Sequence, residues 1–508
     1  MAARLSHNII ATFLGKGWSA LIAVAFVPVY IKFMGIEAYG LVGLFTTLLV
    51  LSSGFDLGLS TALARELAGL STTPRSAEKS RNLAHTFQAI CWIFALGPLL
   101  LLAYFGYHVG GNWVSGKDLD ENTVRNAFLL MGMAVAFQFP FMLYSGGLLG
   151  LQRQVPLNIF VALLATVRAL GAWLMLWLIA PTIQVFFAWQ IFVSLLQSVL
   201  SGAILWRFLP KSEERLRIDL SAVSRIWRFA LGMSLINIFA IALTQVDKLI
   251  LSAMLPLNEF GYYSLASTIA FGLLMLSAPF FSGLFPRFTQ LIKEKDSQGT
   301  SRLYHSASQV LAVIAIPPCL VIAFFSREIL LLWIQDAGIA EEARSLVRLL
   351  VLGSALNSLM YIPYALQIAH GWTRLSVIQN FLAVLVLIPL LYIAIERFGA
   401  EGAASVWILL NAGYLGITIP IMHTRLLKGE KWSWYWNAVC LPFVGGALPM
   451  WMYYVLISGD HIQGAPLSQI IGLLFLAWMS AVLITPHPRE MAVKYALKVW
   501  DRFYKGRE

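Results

Sequence analysis

Residues 158–180 read NIFVALLATVRALGAWLMLWLIA, a run with a single ionisable side chain, Arg168. At ~1.5 Å per residue, a helix of this length crosses the ~30 Å hydrocarbon core of a bilayer. It is apolar on every face, which a surface helix of a soluble domain is not. Working outward, comparable runs occupy 9–33, 40–63, 83–106, 124–149, 183–206, 229–253, 260–283, 303–325, 344–368, 375–395, 402–424, 436–457 and 467–486, fourteen in all. The connections are short and leave no room for a soluble domain. Composition agrees. The set AVILMFWYC makes up 59% of the 508 residues, and charged residues are 12%, against ~25% charged in soluble proteins. Mean hydropathy is +0.75. A soluble core cannot absorb this much apolar side chain, and the same figures exclude disorder, collagen and disulfide scaffolds.

Lys and Arg are distributed unevenly across the spans. With the N-terminus inside, 26 of the 36 fall on the inner side and 7 on the outer side or at its border, while Lys16, Arg168 and Lys248 lie within spans. This bias puts both termini in the cytoplasm. It also accounts for the net charge of +11 without nucleic acid, because the basic loops meet the anionic inner leaflet. Ala23-Val24-Ala25 resembles a signal-peptide cleavage site, but the run before it contains Lys16 and continues past it, so the first helix is expected to be retained. In the tail, 487–508, Val493, Ala496, Leu497, Trp500 and Tyr504 recur at helical spacing, with Lys494, Lys498 and Arg502 elsewhere on the wheel. That is the pattern of a helix lying on the inner membrane surface.

The chain resembles itself at an offset of 221–222. Glu37 matches Glu259 and Arg65 matches Arg287 at 222; Ser80-Arg81 matches Ser301-Arg302, Gly150 matches Gly371, Arg153 matches Arg374 and Arg207 matches Lys428 at 221. Each match falls at the same place relative to the spans. The expectation is a duplication: six spans in 1–215, six in 216–430, then two more spans and a basic cytoplasmic tail in 431–508. Six spans return the chain to the same side, so the repeats are parallel about an axis along the membrane normal. The expected fold is an all-α integral membrane protein of about 14 transmembrane helices, with two six-helix repeats around a central cavity as in alternating-access transporters. The plainer alternative is an ancient duplication in a membrane scaffold.

An ionisable side chain at the bilayer centre costs at least ~2.5–3.5 kcal/mol. Five stand out: Lys16, Asp56, Arg168, Asp247 and Lys248. Lys16 on span 1 and Asp56 on span 2 lie at equal depth, roughly 10–12 Å from the inner side. Two readings stay open for them. They pair and neutralise each other, or Asp56 is an ion-coupling site while Lys16 meets an anionic substrate. Gly54-x-x-x-Gly58 around Asp56 is a close-packing motif. Arg168 is near the middle of span 5, and a guanidinium keeps its charge and grips phosphate with two donors. Its alternative is bonding to helix-end carbonyls. Asp247 and Lys248 point about 100° apart on span 7, so at least one is expected to line a cavity. Their alternative is Lys248 snorkelling to the outer interface. At inner loops, Arg65, Arg153, Arg287 and Arg374 recur in both halves, as topology determinants or as first contacts for an anionic headgroup.

Nothing points to an enzyme. The eight histidines form no metal-spaced cluster, and no nucleophile constellation or Walker motif occurs, so neither metal nor cofactor is expected. Cys91, Cys319 and Cys440 sit in apolar runs and read as buried thiols. The longest external loops, about 107–123 and 326–343, carry no surface suited to a polymerase or ligase.

Several short stretches carry a family resemblance. Val27-Pro28-Val29-Tyr30-Ile31, Tyr39-Gly40-Leu41, Asp56-Leu57-Gly58-Leu59, Gly150-Leu151-Gln152-Arg153 and, above all, Gln245-Val246-Asp247-Lys248-Leu249-Ile250 followed by Phe260-Gly261-Tyr262-Tyr263 resemble the Wzx-type polysaccharide flippases of the MOP superfamily, related to MATE exporters and MurJ. The resemblance covers the chain to about residue 430. It implies movement of an undecaprenyl-diphosphate-linked oligosaccharide from the inner to the outer leaflet of the bacterial cytoplasmic membrane, by ion-coupled alternating access, for O-antigen, capsule or exopolysaccharide synthesis. Basic cavity residues meet the pyrophosphate in that family. Of Lys16, Arg168 and Lys248, only Lys248 sits in a matching motif. Partners implied are the lipid-linked glycan, membrane lipids, a glycan polymerase and a chain-length regulator. A MATE-like drug exporter would want buried acids for cationic substrates. Here three buried bases stand against two buried acids, Asp56 and Asp247.

Overall fold

The computed structural model describes residues 2–56, 58–70, 77–108, 119–211, 216–219, 238–239, 241–456 and 466–505. Among them every regular element is helical and no strand occurs. The inner part of span 7, expected from residue 229, and the expected junction at 215 lie largely outside the described residues. Eleven helical stretches are long and apolar enough to cross a membrane. Two of them are too long for one crossing. Gly15–Asp56 has 42 residues and Thr373–Arg425 has 53, roughly 63 and 80 Å of helix against a ~30 Å hydrocarbon core. Each is broken at a glycine with a backbone no L-residue adopts comfortably: Gly35 at φ 82°, ψ 170° and Gly399 at φ 58°, ψ −142°. With these breaks and the helix over 241–254, fourteen spans are compatible with the structure.

The chain forms two compact units, Met1–Ser264 and Leu265–Glu508. In the first, α1 (Ala2–Ser52) leads through a tight turn, Ser53–Asp56, to α2 (Leu59–Leu70), and α3 (Ala77–His108), α4 (Glu121–Gly150), α5 (Gln154–Leu178), α6 (Ile183–Phe208) and α7 (241–254) follow. Its core joins Leu63 of α2, Phe87 and Cys91 of α3, Phe139 and Tyr144 of α4, and Leu205 of α6. The second unit packs Phe288, Tyr304, Leu311, Ile362, Met422 and Trp434 into its core. Its last spans, Leu441–Leu456 and Leu467–Ile484, are tied by Tyr453 Oη donating to Gln469 Oε1 at 3.0 Å. The tail is helical over Pro486–Lys505. Cys91 and Cys319 are buried, but Cys440 is exposed, contrary to the sequence expectation. An apolar run does not distinguish a side chain facing other helices from one facing lipid.

The first unit contains α7 and the start of α8 (Leu257–Leu274), and there α8 approaches α1 closely at glycines. A Cβ on Gly40 would meet the carbonyl oxygen of Leu257 at 2.7 Å, and a Cβ on Gly261 would meet that of Ile36 at 2.4 Å. A Cβ on Gly43 would fall on Ser264. Ile36 and Leu257, Gly40 and Gly261, and Gly43 and Ser264 are each 221 residues apart, within the 221–222 offset at which the sequence resembles itself. The contact is therefore reciprocal: each segment touches the other through its own equivalent positions. Small residues permit this approach, where dispersion and close backbone packing replace the hydrophobic drive that lipid does not supply. The second span also breaks at matching points. α2 restarts after Asp56, and α9 (Ala278–Lys293) restarts after its N-cap Ser277, 221 residues further along the chain.

Gly261→Leu should therefore lower the stability of the purified protein by ~1–3 kcal/mol or more, the cost of overpacking a closed contact. Gly272→Leu, at a position with nothing within 4 Å of the added Cβ, should leave the unfolding midpoint in detergent unchanged.

Candidate functional site

Arg168 is half-buried in the first unit, roughly 20 Å along α5 from its N-terminal end in a helix about 37 Å long. Its guanidinium donates from Nη1 to Gln190 Oε1 at 2.8 Å and from Nη2 to Gln138 Oε1 at 3.0 Å and Gln197 Oε1 at 2.8 Å. Gln138 comes from α4; Gln190 and Gln197 lie two helical turns apart on one face of α6. Ser194, between them, donates to Gln138 Oε1 at 3.2 Å. The helix backbone beside Arg168 is fixed as well. Trp189 Nε1 donates to the Arg168 carbonyl at 3.1 Å, and Gly171 leaves the space that this indole fills. Tyr30 of α1, inside one of the resemblance motifs, donates from Oη to the Ala169 carbonyl at 3.4 Å. Among the described residues no carboxylate pairs with Arg168. Its three bonds to neutral oxygens, each worth ~1.5–3 kcal/mol for a charged donor, offset the ~2.5–3.5 kcal/mol insertion cost and leave the charge in place.

Asp56 and Lys16 do not pair. The buried Asp56 carboxylate accepts from Ser60 N at 3.1 and 3.3 Å and from Ser60 Oγ at 2.7 Å, as a cap on the restarting helix α2. Lys16 is exposed on α1. On α7, Asp247 Oδ2 accepts from Tyr263 Oη at 2.5 Å, while its Oδ1 is buried with no hydrogen-bond partner. Lys248 Nζ donates to Gln245 Oε1 at 3.5 Å. Of the inner-end arginines, Arg153 stacks over Phe208 at 4.6 Å and Arg287 donates to Gln290 Oε1 at 2.8 Å; Arg65 and Arg374 are exposed. Two cavities of about 310 and 330 Å³ occur among the described residues, one lined by Leu44, Phe55, Phe105 and Leu249, the other by Leu382, Leu410, Tyr414 and Ile417. Both are almost wholly apolar and hold no charged side chain, so neither suits an anionic headgroup. No metal-competent cluster of His, Cys, Asp and Glu occurs among the described residues.

Sequence reasoning singled out Arg168 and missed its three glutamines. Their signal was present: an amide in an apolar span is costly unless bonded, and the spacing of Gln190 and Gln197 repeats one helix face. Tyr263 closes the motif Phe260-Gly261-Tyr262-Tyr263, but nothing in the sequence ties it to Asp247.

These features define the class: a multi-pass helical membrane protein holding charged side chains inside its bundle. In fold, the chain is similar to the lipid II flippase MurJ in an inward closed conformation, with a TM-score of 0.70 at 13% identity, covering 94% of this chain and 98% of that one. It is also similar to an inward-facing multidrug resistance MATE family transporter of the MOP superfamily, with a TM-score of 0.60 at 15% identity, covering 83% and 97%. A Shigella flexneri protein assigned as an O-antigen transporter is 21% identical over 433 residues, 82% of this chain and 97% of that protein. The MatE family model matches residues 220–393. The model described as polysaccharide biosynthesis protein matches residues 5–292, more than half of the chain, and the chain belongs to that family.

Tyr263→Phe removes the donor to Asp247 and should cost ~1.5–3 kcal/mol of stability. Adding Asp247→Asn should recover part of that loss, because an unpaired amide is cheaper to bury than an unpaired carboxylate. Unfolding midpoints of the single and double variants in detergent check both statements.

Proposed function

We propose that this protein moves an undecaprenyl-diphosphate-linked oligosaccharide from the inner to the outer leaflet of the bacterial cytoplasmic membrane, for surface polysaccharide synthesis. The observation that carries the reading is Arg168, a mid-span cation bonded, among the described residues, only to neutral oxygens. An unneutralised guanidinium favours an anionic headgroup and disfavours the cationic substrates of a drug exporter. The family match and the O-antigen transporter relative support the same substrate class.

In this reading Arg168, Lys248 and Lys16 meet the diphosphate, with Arg65, Arg153, Arg287 and Arg374 as inner-side capture sites. Asp247, with one carboxylate oxygen unpartnered, is the better placed of the two acids to take up a coupling cation. Asp56 is already occupied as a cap. Both termini are cytoplasmic. The chain comprises two duplicated halves, 1–215 and 216–430, with 431–508 appended, and the reciprocal contact of Gly40 and Gly261 supports the duplication. A glycan polymerase and a chain-length regulator are the partners that would use the product on the outer side.

Deleting the gene and locating the lipid-linked glycan tests this. Accumulation on the cytoplasmic leaflet, reversed by wild type and not by Arg168→Ala, is the expected result. Accumulation on the outer leaflet would assign a later step, and no accumulation would remove the glycan assignment.

A further inference from the structure

The glutamines around Arg168 are an unusual choice for a half-buried cation at mid-span. A carboxylate at any of the three positions would satisfy the guanidinium and cancel its charge, and a buried charge without a counter-charge is normally disfavoured. Here, among the described residues, the bundle supplies three acceptors and no carboxylate. Arginine has five N–H donors and no acceptor, so the amide oxygens must face it. Three N–H positions are engaged by Gln138, Gln190 and Gln197, and two remain. The group is thereby fixed in orientation, still cationic, and still able to donate.

We propose that Gln138, Gln190 and Gln197 are positioning residues for the substrate's diphosphate, holding Arg168 in place by neutral oxygens so that its charge stays available to the ligand. The proposal rests on the flippase reading above and names what makes its site selective for anions. Orienting a donor in advance lowers the cost of binding. Leaving its charge uncompensated strengthens that binding, because in a low-dielectric interior a nearby carboxylate would compete with the diphosphate for the same group. The amides meet both requirements at once; a salt bridge would meet only the first.

The consequence has an uncommon sign. Gln190→Glu and Gln197→Glu are isosteric and place a carboxylate where an acceptor already sits. If the glutamines served the fold alone, these changes would be tolerated by transport. Under the proposal they lower transport of a diphosphate-linked glycan in proteoliposomes by about tenfold or more, on the scale of one lost charge-assisted bond, while the unfolding midpoint stays level or rises. Gln190→Met and Gln197→Met remove the acceptor and keep neutrality. They should lower the unfolding midpoint and reduce transport less than the corresponding Glu variants. Binding of undecaprenyl diphosphate to the purified variants supplies a second readout: the Glu variants lose affinity for the diphosphate and not for the uncharged polyprenol. Transport and diphosphate affinity at wild-type levels in folded Glu variants overturn the proposal. If the wild-type protein itself moves no diphosphate-linked glycan in the same vesicles, the flippase reading fails instead.

Discussion

A guanidinium in the middle of a membrane span has to be satisfied by its own protein, since lipid offers it nothing. In this chain Arg168 is satisfied by three amide oxygens from two neighbouring helices. Much of the first unit follows from that constraint. α4 and α6 must present glutamines toward α5, Gly171 must be small so that Trp189 can reach the Arg168 carbonyl, and Tyr30 of α1 bonds the next carbonyl. The described helices hold this charge, and among the described residues no carboxylate cancels it.

The second organising feature is close backbone approach. Membrane helices gain little by burying apolar side chains that lipid would cover equally well, so they associate where small residues let backbones meet. Gly40, Gly43 and Gly261 serve this at the crossing of α1 and α8. Because the touching positions are 221 residues apart in each case, each segment meets the other through matching positions, as across a two-fold contact. The same spacing of 221 separates Asp56 and Ser277, after which α2 and α9 restart as helix. This assigns Asp56 a local task, binding Ser60, which explains how a buried carboxylate persists without Lys16.

Span content and helical class were legible in the sequence because a long apolar run admits few structures in a bilayer. The charges inside spans were legible for the same reason: each is expensive and therefore conspicuous. What each charge binds was not. Partners such as Gln138 for Arg168 or Tyr263 for Asp247 come from other helices, and their apposition depends on helix rotation, which a uniformly apolar span does not encode. The equal depth of Lys16 and Asp56 allowed a pair. A local contact from Ser60, one helical turn on, satisfied the Asp56 carboxylate instead. Cys440 shows the same blindness between lipid-facing and interior sides of a span. Self-similarity at an offset of 221–222 is visible as matched residues, whereas the meeting of Gly40 with Gly261 requires the fold.

The most direct test of the central claim, that an uncompensated cation at mid-span selects an anionic lipid-linked substrate, is transport by the purified protein in vesicles. Wild type and Arg168→Gln would be compared on matched polyprenyl glycans bearing a diphosphate or a neutral linkage. The account predicts that wild type moves the diphosphate-linked substrate in preference and that Arg168→Gln loses that preference. Equal transport of both substrates by wild type, or an unchanged preference in Arg168→Gln, would contradict it.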